Sequence, residues 1–244
     1  MRLSEREVLE RRIWRHFGEG CKRYGLLEDG DCIMVAVSGG KDSLALLDLL
    51  SRRARVWRPR IELRAVHVVM DGAGYESDLG ALRAFAGERD VELEVVRAEF
   101  EEGVKSPCFR CSRARRKALF GAAVGRGCNK LALGHHQDDV LTTLLMNLIY
   151  EGRFATMPAR LELRRFPLTV VRPLCMVREA DLAAWAGVCG YPRQVSRCRY
   201  EGLSRREDAR RLLTSMEGMS GEARFSLWHA LDVGGKLVER RGEE

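Results

Sequence analysis

The chain has 244 residues and a mass of 27.6 kDa, with 45% hydrophobic and 32% charged residues. This balance supplies enough apolar side chains for a core and excludes a wholly disordered chain. No hydrophobic run approaches the ~20 residues that a membrane span needs, and the Arg/Glu-rich start lacks the apolar segment of a signal peptide. We therefore expect a cytoplasmic protein without a membrane anchor.

The chain is basic, with a formal net charge of +7 from 42 basic and 35 acidic residues. Arginine supplies all but six of the basic residues. Its guanidinium group forks onto phosphate and stacks on bases, which favours an anionic partner such as nucleic acid. A genome that prefers arginine codons explains the same composition equally well.

The predicted elements begin with an amphipathic helix, which opens with a capping box of Ser4 and Glu7 and ends in the turn at 25–31. Short apolar runs then predict five strands, at 32–37, 63–69, 91–96, 131–133 and 168–174. Helical patterns lie between and after them, at 44–50, 76–88, 111–125, 138–150 and 178–188. The tail from residue 204 onward predicts helices only.

This alternation of strands and helices predicts an α/β fold with a doubly wound, mainly parallel five-stranded sheet. We expect three segments: an N-terminal helix at 1–30, a central α/β domain at 31–177 and a helical C-terminal extension at 178–244. Ligands of such sheets bind beyond the carboxyl ends of the strands. Two unusual motifs directly follow predicted strands, so we expect them to share one crevice.

The first motif follows the strand at 32–37 and consists of Ser38, Gly39, Gly40, Lys41, Asp42 and Ser43. Two glycines before a helix present backbone N–H groups and the helix dipole to an anion, while the serines and the lysine add donors and charge. It is not a Walker A loop, since Asp42 follows the lysine. An aspartate repels phosphate, so its presence indicates a triphosphate bound with Mg²⁺. The alternative is an ordinary strand-to-helix turn.

SGGKDS after a buried strand resembles the PP-loop signature of the ATP pyrophosphatases. Members of that superfamily cleave ATP between the α and β phosphates and adenylate a substrate. The resemblance implies bound ATP, and it covers several reactions, among them amidation, tRNA lysidine formation and tRNA thiolation.

The second motif, GHHQDD at 134–139, opens a long apolar helix. Its imidazoles and carboxylates suit a metal or a phosphate, and acids also suit a helix N-terminus without any further role. The segment that it begins is similar to that of the tRNA 2-thiocytidine synthetase family, with Asn147, Gly152, Met157 and Pro158 in the expected places.

The third motif is a CxxC pair, Cys108 and Cys111, followed by Arg113, Arg115, Arg116 and Lys117. From the residues alone, the pair suits a redox dithiol, part of a zinc site, two ligands of an iron–sulfur cluster, or simple packing. CFRCSRARR is similar to the segment of the same family whose two cysteines bind a 4Fe-4S cluster. The family has a further CxxC near its C-terminus, where this chain keeps Cys198 alone. We take Cys198 as the third ligand, with Cys189 and Cys175 as alternatives.

The resemblance implies an ATP-dependent tRNA thiolase that replaces the C2 oxygen of cytidine 32 with sulfur. It implies that Lys41, Asp42 and Asp138 are catalytic, and that the PP-loop with Gly134, His135 and Asp139 binds the nucleotide. Its partners are tRNA, a sulfur donor (a cysteine desulfurase or sulfide) and a second copy of the chain. His67 either lines the adenine pocket or packs in the core.

Three other functions remain open from the sequence. The same machinery can act on another nucleobase such as uridine, although the uridine enzymes of this superfamily usually carry extra CxxC pairs. A metal phosphohydrolase could use GHHQDD with a structural CxxC, but it would not need SGGKDS. A non-catalytic nucleic-acid-binding protein would explain the arginines and neither strand-end motif.

Overall fold

The computed structural model describes residues 3–56, 58–72, 77–99, 107–192 and 205–239. The first helix is α1 (Glu5–Arg23), and the capping box of Ser4 and Glu7 is present at its start. The remaining helices are α2 (Lys41–Ala54), α3 (Leu79–Gly87), α4 (Pro107–Gly125), α5 (Gln137–Glu151), α6 (Glu179–Val188), α7 (Arg205–Met219) and α8 (Ala223–Val233). None of these described helices is both long and apolar enough to span a membrane.

The strands form one sheet in the order β3-β2-β1-β4-β6-β5-β7. Their bounds are β1 (Asp31–Ala36), β2 (Ile61–Asp71), β3 (Leu93–Glu99), β4 (Lys130–Ala132), β5 (Arg160–Glu162), β6 (Thr169–Val171) and β7 (Val238–Glu239). All neighbouring pairs are parallel except β5 with β6. The mainly parallel α/β fold is therefore confirmed.

The number of strands was predicted wrongly, because the described sheet has seven strands rather than five. The two additional strands are β5 and β7, with three and two residues. Such short strands carry no period-two pattern, and β7 exists only because β5 offers it an open edge. The tail is therefore not purely helical.

Two hydrophobic cores cover the two faces of the sheet. Alternate residues of β1 point to opposite faces, so Ile33 and Val35 join one core and Met34 joins the other. The larger core contains apolar residues of α1, α2, α3, α5 and α6, and of the C-terminal helices α7 and α8. The smaller core is covered by α4. The division into segments at 1–30, 31–177 and 178–244 stays a prediction.

The topology creates a crevice at the carboxyl ends of β1 and β4. The chain moves from β1 outward through β2 to β3, then returns across the sheet to place β4 on the other side of β1. Ile33 pairs with Lys130 and Val35 with Ala132, so the loops that follow both strands emerge side by side. This is the switch point at which doubly wound sheets bind their ligands.

Candidate active site at the carboxyl edge of the sheet

The PP-loop connects β1 to α2 through a turn that its own residues hold in shape. Gly39 has φ 88°, a conformation that residues with a side chain rarely adopt. The buried Ser43 hydroxyl donates to the Gly40 carbonyl at 2.8 Å and accepts from the Ser38 amide at 3.1 Å. Gly40 provides no side-chain cap for α2, and the first amides of a helix have no intrahelical partner. These amides are available to an anion.

The second motif contacts the PP-loop directly, as its position after β4 predicts. A Cβ atom at Gly134 would lie 3.1 Å from backbone atoms of both Asp42 and Ser43. Only glycine allows the two motifs to approach this closely, because real Cβ contacts at that distance force a shift of the backbone. The sequence expectation that the motifs share one crevice is confirmed.

The carboxylates of both motifs surround the buried imidazole of His136. Its Nε2 atom lies 3.4 Å from an oxygen of Asp139 and 3.9 Å from one of Asp42, and its Nδ1 atom lies 3.7 Å from Asp138. His136 also caps α5, since its amide donates to Asp139 at 3.2 Å. From the sequence, His136, Asp138 and Asp139 form one helix start and Asp42 belongs to the other motif, whereas the structure arranges all three carboxylates around a single imidazole.

Lys41 is held over the site by two carboxylates. Its Nζ atom lies 3.1 Å from Asp42 and 2.9 Å from Glu179, which belongs to the first turn of α6. Burial opposes the charge of Lys41, yet the hydrogen bond to Glu179 and the neighbouring Asp42 raise its pKa. Burial raises the pKa of Asp42, and Lys41 offsets only part of that effect. The lysine therefore stays charged where a phosphate would arrive.

Asp138 faces protein groups rather than open space. Its two oxygens accept from Arg224 of α8 at 2.6 Å and from the Glu179 amide at 2.8 Å. Although burial works against ionisation, the hydrogen bonds from Arg224 and Glu179 lower the pKa of Asp138. This placement suits a residue that positions α6 and α8 on the site. Its predicted catalytic role stays a prediction.

His135 is held as a neutral donor by a buried arginine. Arg172 Nε donates to His135 Nδ1 at 3.3 Å, which leaves the proton of the imidazole on Nε2. Burial, followed by the charge of Arg172, lowers the pKa of His135 to about 4. The imidazole is therefore neutral at physiological pH and can offer one N–H to an oxygen atom.

His67 supports the loop from beneath. It is 2% exposed, and its Nδ1 atom lies 2.7 Å from the carbonyl of Val37, just before the PP-loop. Burial lowers its pKa, so the ring is neutral and donates to that carbonyl. Its Nε2 atom has no hydrogen-bond partner within the described part of the chain. Packing below the loop explains His67 better than a position on the adenine.

The CxxC motif occupies the first turn of α4, a helix that starts at 107 rather than at the predicted residue 111. Cys108 is exposed and Cys111 is half-buried, and residues three apart lie on one helix face. Because α4 connects the parallel strands β3 and β4, it begins at the carboxyl edge of the sheet. Burial lowers the pKa of Arg172 to about 10 and the charge of Arg116 adds to that effect, so the basic side of α4 lies near the site.

The third cluster ligand, Cys198, lies outside the described residues. The alternatives are described. Cys175 is fully buried in the larger core, where burial raises its pKa to about 12, and Cys189 packs against the same core. Cys111 packs against the smaller core, on the opposite face of the sheet. Neither alternative therefore lies on the face that carries the CxxC pair.

The phosphate site offers a carboxylate oxygen of Asp42 to a metal ion. Within residues 3–239, as far as they are described, no group of three His, Cys, Asp or Glu side chains is arranged to hold a metal. The Oδ1 atom of Asp42 is nevertheless buried and has no partner in the described part of the chain. An aspartate oxygen in this state fits a cation that arrives with a nucleotide, such as Mg²⁺.

Sequence reasoning missed several charged residues of the site. Glu179 lies in the segment VVRPLCMVREADLAAWA, which is similar to the RPLxxVRExD segment of the tRNA 2-thiocytidine synthetase family and so offered a signal. Arg172 lies in the same segment. Arg206 and Arg210 lie in REDARRLL of the first C-terminal helix, a segment that is also similar to the C-terminal part of the family, and Arg224 lies in the next helix. Nothing in these sequences indicates that the two helices reach α5.

Comparison with known proteins supports this description. A family model described as a PP-loop domain matches residues 7–191. The tRNA-cytidine(32) 2-sulfurtransferase of Anaeromyxobacter sp. (strain K) is 38% identical over 231 residues, covering 91% of this chain and 79% of the relative. The enzyme of the same name from Syntrophotalea carbinolica is 38% identical over 234 residues, covering 91% and 89%.

Among solved structures, the U34-tRNA thiolase NcsA from Methanococcus maripaludis with its 4Fe-4S cluster is similar, with a TM-score of 0.79 and 25% identity. The match covers 93% of this chain and 79% of NcsA. These likenesses confirm the resemblance that SGGKDS, GHHQDD and CFRCSR indicated. The chain belongs to the PP-loop domain family and, within it, to the tRNA-cytidine(32) 2-sulfurtransferases.

Proposed function

We propose that this chain is an ATP-dependent tRNA thiolase that adenylates the C2 oxygen of cytidine 32 and replaces that oxygen with sulfur. The observation that carries the proposal is the contact of Gly134 with the backbone of Asp42 and Ser43. It joins a phosphate-binding loop to an acidic motif in a chain that is 38% identical to curated cytidine sulfurtransferases.

The PP-loop binds the triphosphate of ATP. The backbone amides at the start of α2 and the charge of Lys41 offset the negative charge of the phosphates. Asp42 and Asp139 hold Mg²⁺, which shields the phosphates from the nearby carboxylates. The Nε2–H group of His135 donates a hydrogen bond to an oxygen of the reacting groups and keeps its proton. It does so across the physiological pH range because its pKa is about 4.

The reaction follows from the poor reactivity of a cytidine carbonyl. The C2 oxygen attacks the α phosphorus of ATP, and the bond to the β phosphate breaks with release of pyrophosphate. A sulfur nucleophile then attacks C2, and the oxygen leaves with AMP. The protein stabilises the charge that develops on the departing phosphates, and Lys41 is the nearest cation of the loop. Bases in an anticodon loop are unpaired and can enter such a site.

Cys108, Cys111 and Cys198 hold the 4Fe-4S cluster in this proposal. A cluster with three thiolate ligands leaves one iron open, and this iron supplies a site for sulfur. The residues fit this role, because two thiols share one face at the start of α4 and a helix N-terminus favours an anionic group. The position of Cys198 is outside the described residues, so its part rests on the family resemblance.

The cluster is tested by the iron and sulfide content of protein purified without air. We expect about four irons per chain in the wild type and loss of the visible absorbance in Cys198→Ala. Cys189→Ala is the control and keeps its colour, since Cys189 packs on the opposite face from Cys111. A colourless wild type after anaerobic reconstitution, or a brown Cys198→Ala protein, would contradict this assignment.

The partners follow from the same proposal. The anticodon arm of tRNA approaches the basic start of α4, where Arg113, Arg116 and Lys117 are exposed. A cysteine desulfurase or free sulfide supplies the sulfur, and two copies of the chain form a dimer. Such an enzyme works in the cytoplasm, where its tRNA substrate is found.

The nucleobase is tested by nucleoside analysis of tRNA after reaction with the enzyme, ATP, Mg²⁺ and sulfide. We expect 2-thiocytidine at position 32 and none with Lys41→Met. Because NcsA is described as a U34-tRNA thiolase, 2-thiouridine is the specific alternative. Its appearance in place of 2-thiocytidine would assign the chain to uridine.

A further inference from the structure

Two arginines of α7 reach the acidic residues around the PP-loop. Arg206 and Arg210 are four residues apart and therefore lie on one face of the helix. α7 packs along α5, and the contact of Arg206 with Asp139 in the first turn of α5 places this face at the start of that helix. The C-terminal helix thus brings two guanidinium groups to the site, and the proposed function gives neither a role.

These two arginines are attracted to carboxylates without being bonded to them. Arg206 lies 3.5 Å from Asp139, and Arg210 lies 3.8 Å from Glu179. A charge-assisted hydrogen bond between such groups measures about 2.7–2.9 Å. Arg224, by contrast, lies 2.6 Å from Asp138 and also bonds Glu217. Arg224 is a fixed structural contact, whereas the two arginines of α7 keep their N–H groups available.

A triphosphate needs more positive charge than the PP-loop motif contains. Lys41 is the only basic residue of that motif, and it already contacts both Asp42 and Glu179. The carboxylates of Asp138 and Asp139 add further repulsion at the start of α5. Arg206 faces Asp139 and Arg210 faces Glu179, so both lie where additional cations are required. Arginine also matches the geometry of phosphate oxygens better than lysine does.

We propose that Arg206 and Arg210 bind the β and γ phosphates of ATP and retain the pyrophosphate as it forms. On binding, each guanidinium exchanges its loose carboxylate contact for hydrogen bonds to phosphate oxygens. The released carboxylate of Asp139 then faces the cation that accompanies the nucleotide. This inference rests on the proposed function only in taking ATP as the nucleotide bound at the PP-loop.

The test compares the affinities of the cluster-loaded protein for ATP and for AMP, measured by calorimetry without tRNA. Arg206→Gln and Arg210→Gln should each weaken ATP binding about tenfold or more, because each loses a charged hydrogen bond. AMP binding should change less than about twofold, since AMP lacks the β and γ phosphates. Arg210→Lys should recover part of the loss because it keeps the charge.

The matched control is Arg211→Gln. Arg211 lies on the same helix, is 73% exposed and pairs with Asp208 one turn away, so it leaves both affinities unchanged. Equal losses for ATP and AMP, or no loss for ATP, would overturn the inference. Loss of tRNA affinity with intact ATP binding would instead assign these arginines to the RNA backbone and also overturn it.

Failure of this inference is distinguishable from failure of the proposed function. The ATP and AMP affinities are measured without a thiolation step. If the arginine variants selectively lose ATP binding and the wild type forms no 2-thiocytidine, the role of the arginines in phosphate binding is supported and the proposed thiolase is contradicted. If ATP binding is unchanged in both arginine variants and the wild type forms 2-thiocytidine, the role of the arginines is contradicted and the proposed thiolase is supported. Thermal unfolding of each variant reports separately whether it folds.

Discussion

Both edges of the sheet carry buried charged groups, but these groups are paired more tightly at the amino edge than at the carboxyl edge. At the amino edge, Lys130 is 2% exposed and lies 2.7 Å from both Asp31 and Glu28. The amide of Asn129 donates to the remaining oxygen of Asp31 at 2.8 Å. The buried charged atoms of this group, Nζ of Lys130 and both oxygens of Asp31, each have a close partner, as buried ions require. The amino edge is a closed structural network.

At the carboxyl edge the charges are less tightly paired. Lys41 keeps 34% of its side chain exposed, and Arg206 and Arg210 stand 3.5 and 3.8 Å from their carboxylates. One oxygen of Asp42 and Nδ1 of His136 are buried and have no hydrogen-bond partner among the described residues. A buried polar atom without a hydrogen-bond partner lowers the stability of the folded protein, and a ligand that bonds to it removes this cost. The charges of the amino edge therefore stabilise the fold, whereas those of the carboxyl edge are available to bind a substrate.

The largest effect should come from Lys130→Met at the amino edge. The substitution leaves the buried carboxylate of Asp31 without its cation, so we expect a loss of about 3–5 kcal/mol in the free energy of unfolding. Chemical denaturation measures this loss. The same change at the other edge, Lys41→Met, is the matched control and should cost less, about 1 kcal/mol, because Lys41 and its two carboxylates are only partly buried and water screens their attraction. Equal losses of stability at both edges would show that the two groups of charges stabilise the fold alike.

Lys41→Met should instead affect the reaction. Removal of a cation from the developing phosphate charge lowers kcat by about 10²–10³-fold, as for other groups that stabilise charge in a transition state. Single-turnover formation of the thiolated nucleoside measures the change. Lys130→Met, assayed well below its unfolding temperature, should retain its rate per folded molecule. A Lys41→Met enzyme with the rate of the wild type would remove the lysine from the mechanism.

Gly134→Ala should weaken the junction of the two motifs. Its Cβ atom would lie 3.1 Å from the backbone of Asp42 and Ser43, and overpacking of this kind costs about 1–3 kcal/mol. We expect a lower unfolding temperature and a raised KM for ATP. Gly18→Ala is the control, because nothing lies within 4 Å of its Cβ position in α1. That change should stabilise the protein by about 0.5–1 kcal/mol.

The smallest effect concerns the protonation of His135. Burial and Arg172 lower its pKa to about 4 from an ordinary value of 6.5, so its imidazole signal should stay that of the neutral form down to about pH 5. Between pH 6.5 and 4 the unfolded chain binds the proton more readily than the folded one. The free energy of unfolding that depends on His135 therefore decreases as the pH falls from 6.5 to 4.

Histidine NMR spectra of the cluster-free protein follow this titration. In Arg172→Met the pKa should rise but remain below 6.5, because burial is the larger cause. A His135 that titrates above pH 6 in the wild type would show that the ring is not held as a neutral donor. Loss of the signal in His135→Asn assigns it.

The sequence predicted the parts of the molecule that depend on local pattern. The capping box of α1, the apolar strand β1 and the glycines of the PP-loop each follow from neighbouring residues, and the structure confirms them. The meeting of SGGKDS and GHHQDD was also predictable, since both follow parallel strands. Cys198 lies outside the described residues, and its role stays a prediction.

The missed features depend on contacts between distant segments. Strands β5 and β7 have three and two residues and form through pairing across the chain. Arg224 reaches Asp138 across 86 positions of sequence. No periodic pattern records such a contact, because the helix that carries Arg224 would look the same without it. The start of α4 was set too late for a related reason, since CxxC has no helical periodicity of its own.

An adenylating site at the carboxyl edge of the sheet must cleave ATP to AMP and pyrophosphate, so the products of cleavage show whether the site adenylates. We would separate the nucleotides formed by the cluster-loaded enzyme with and without tRNA. We expect AMP and pyrophosphate, formed only with tRNA and in equal number to the thiolated nucleosides. ADP and phosphate, or cleavage that ignores tRNA, would contradict it and indicate a phosphohydrolase.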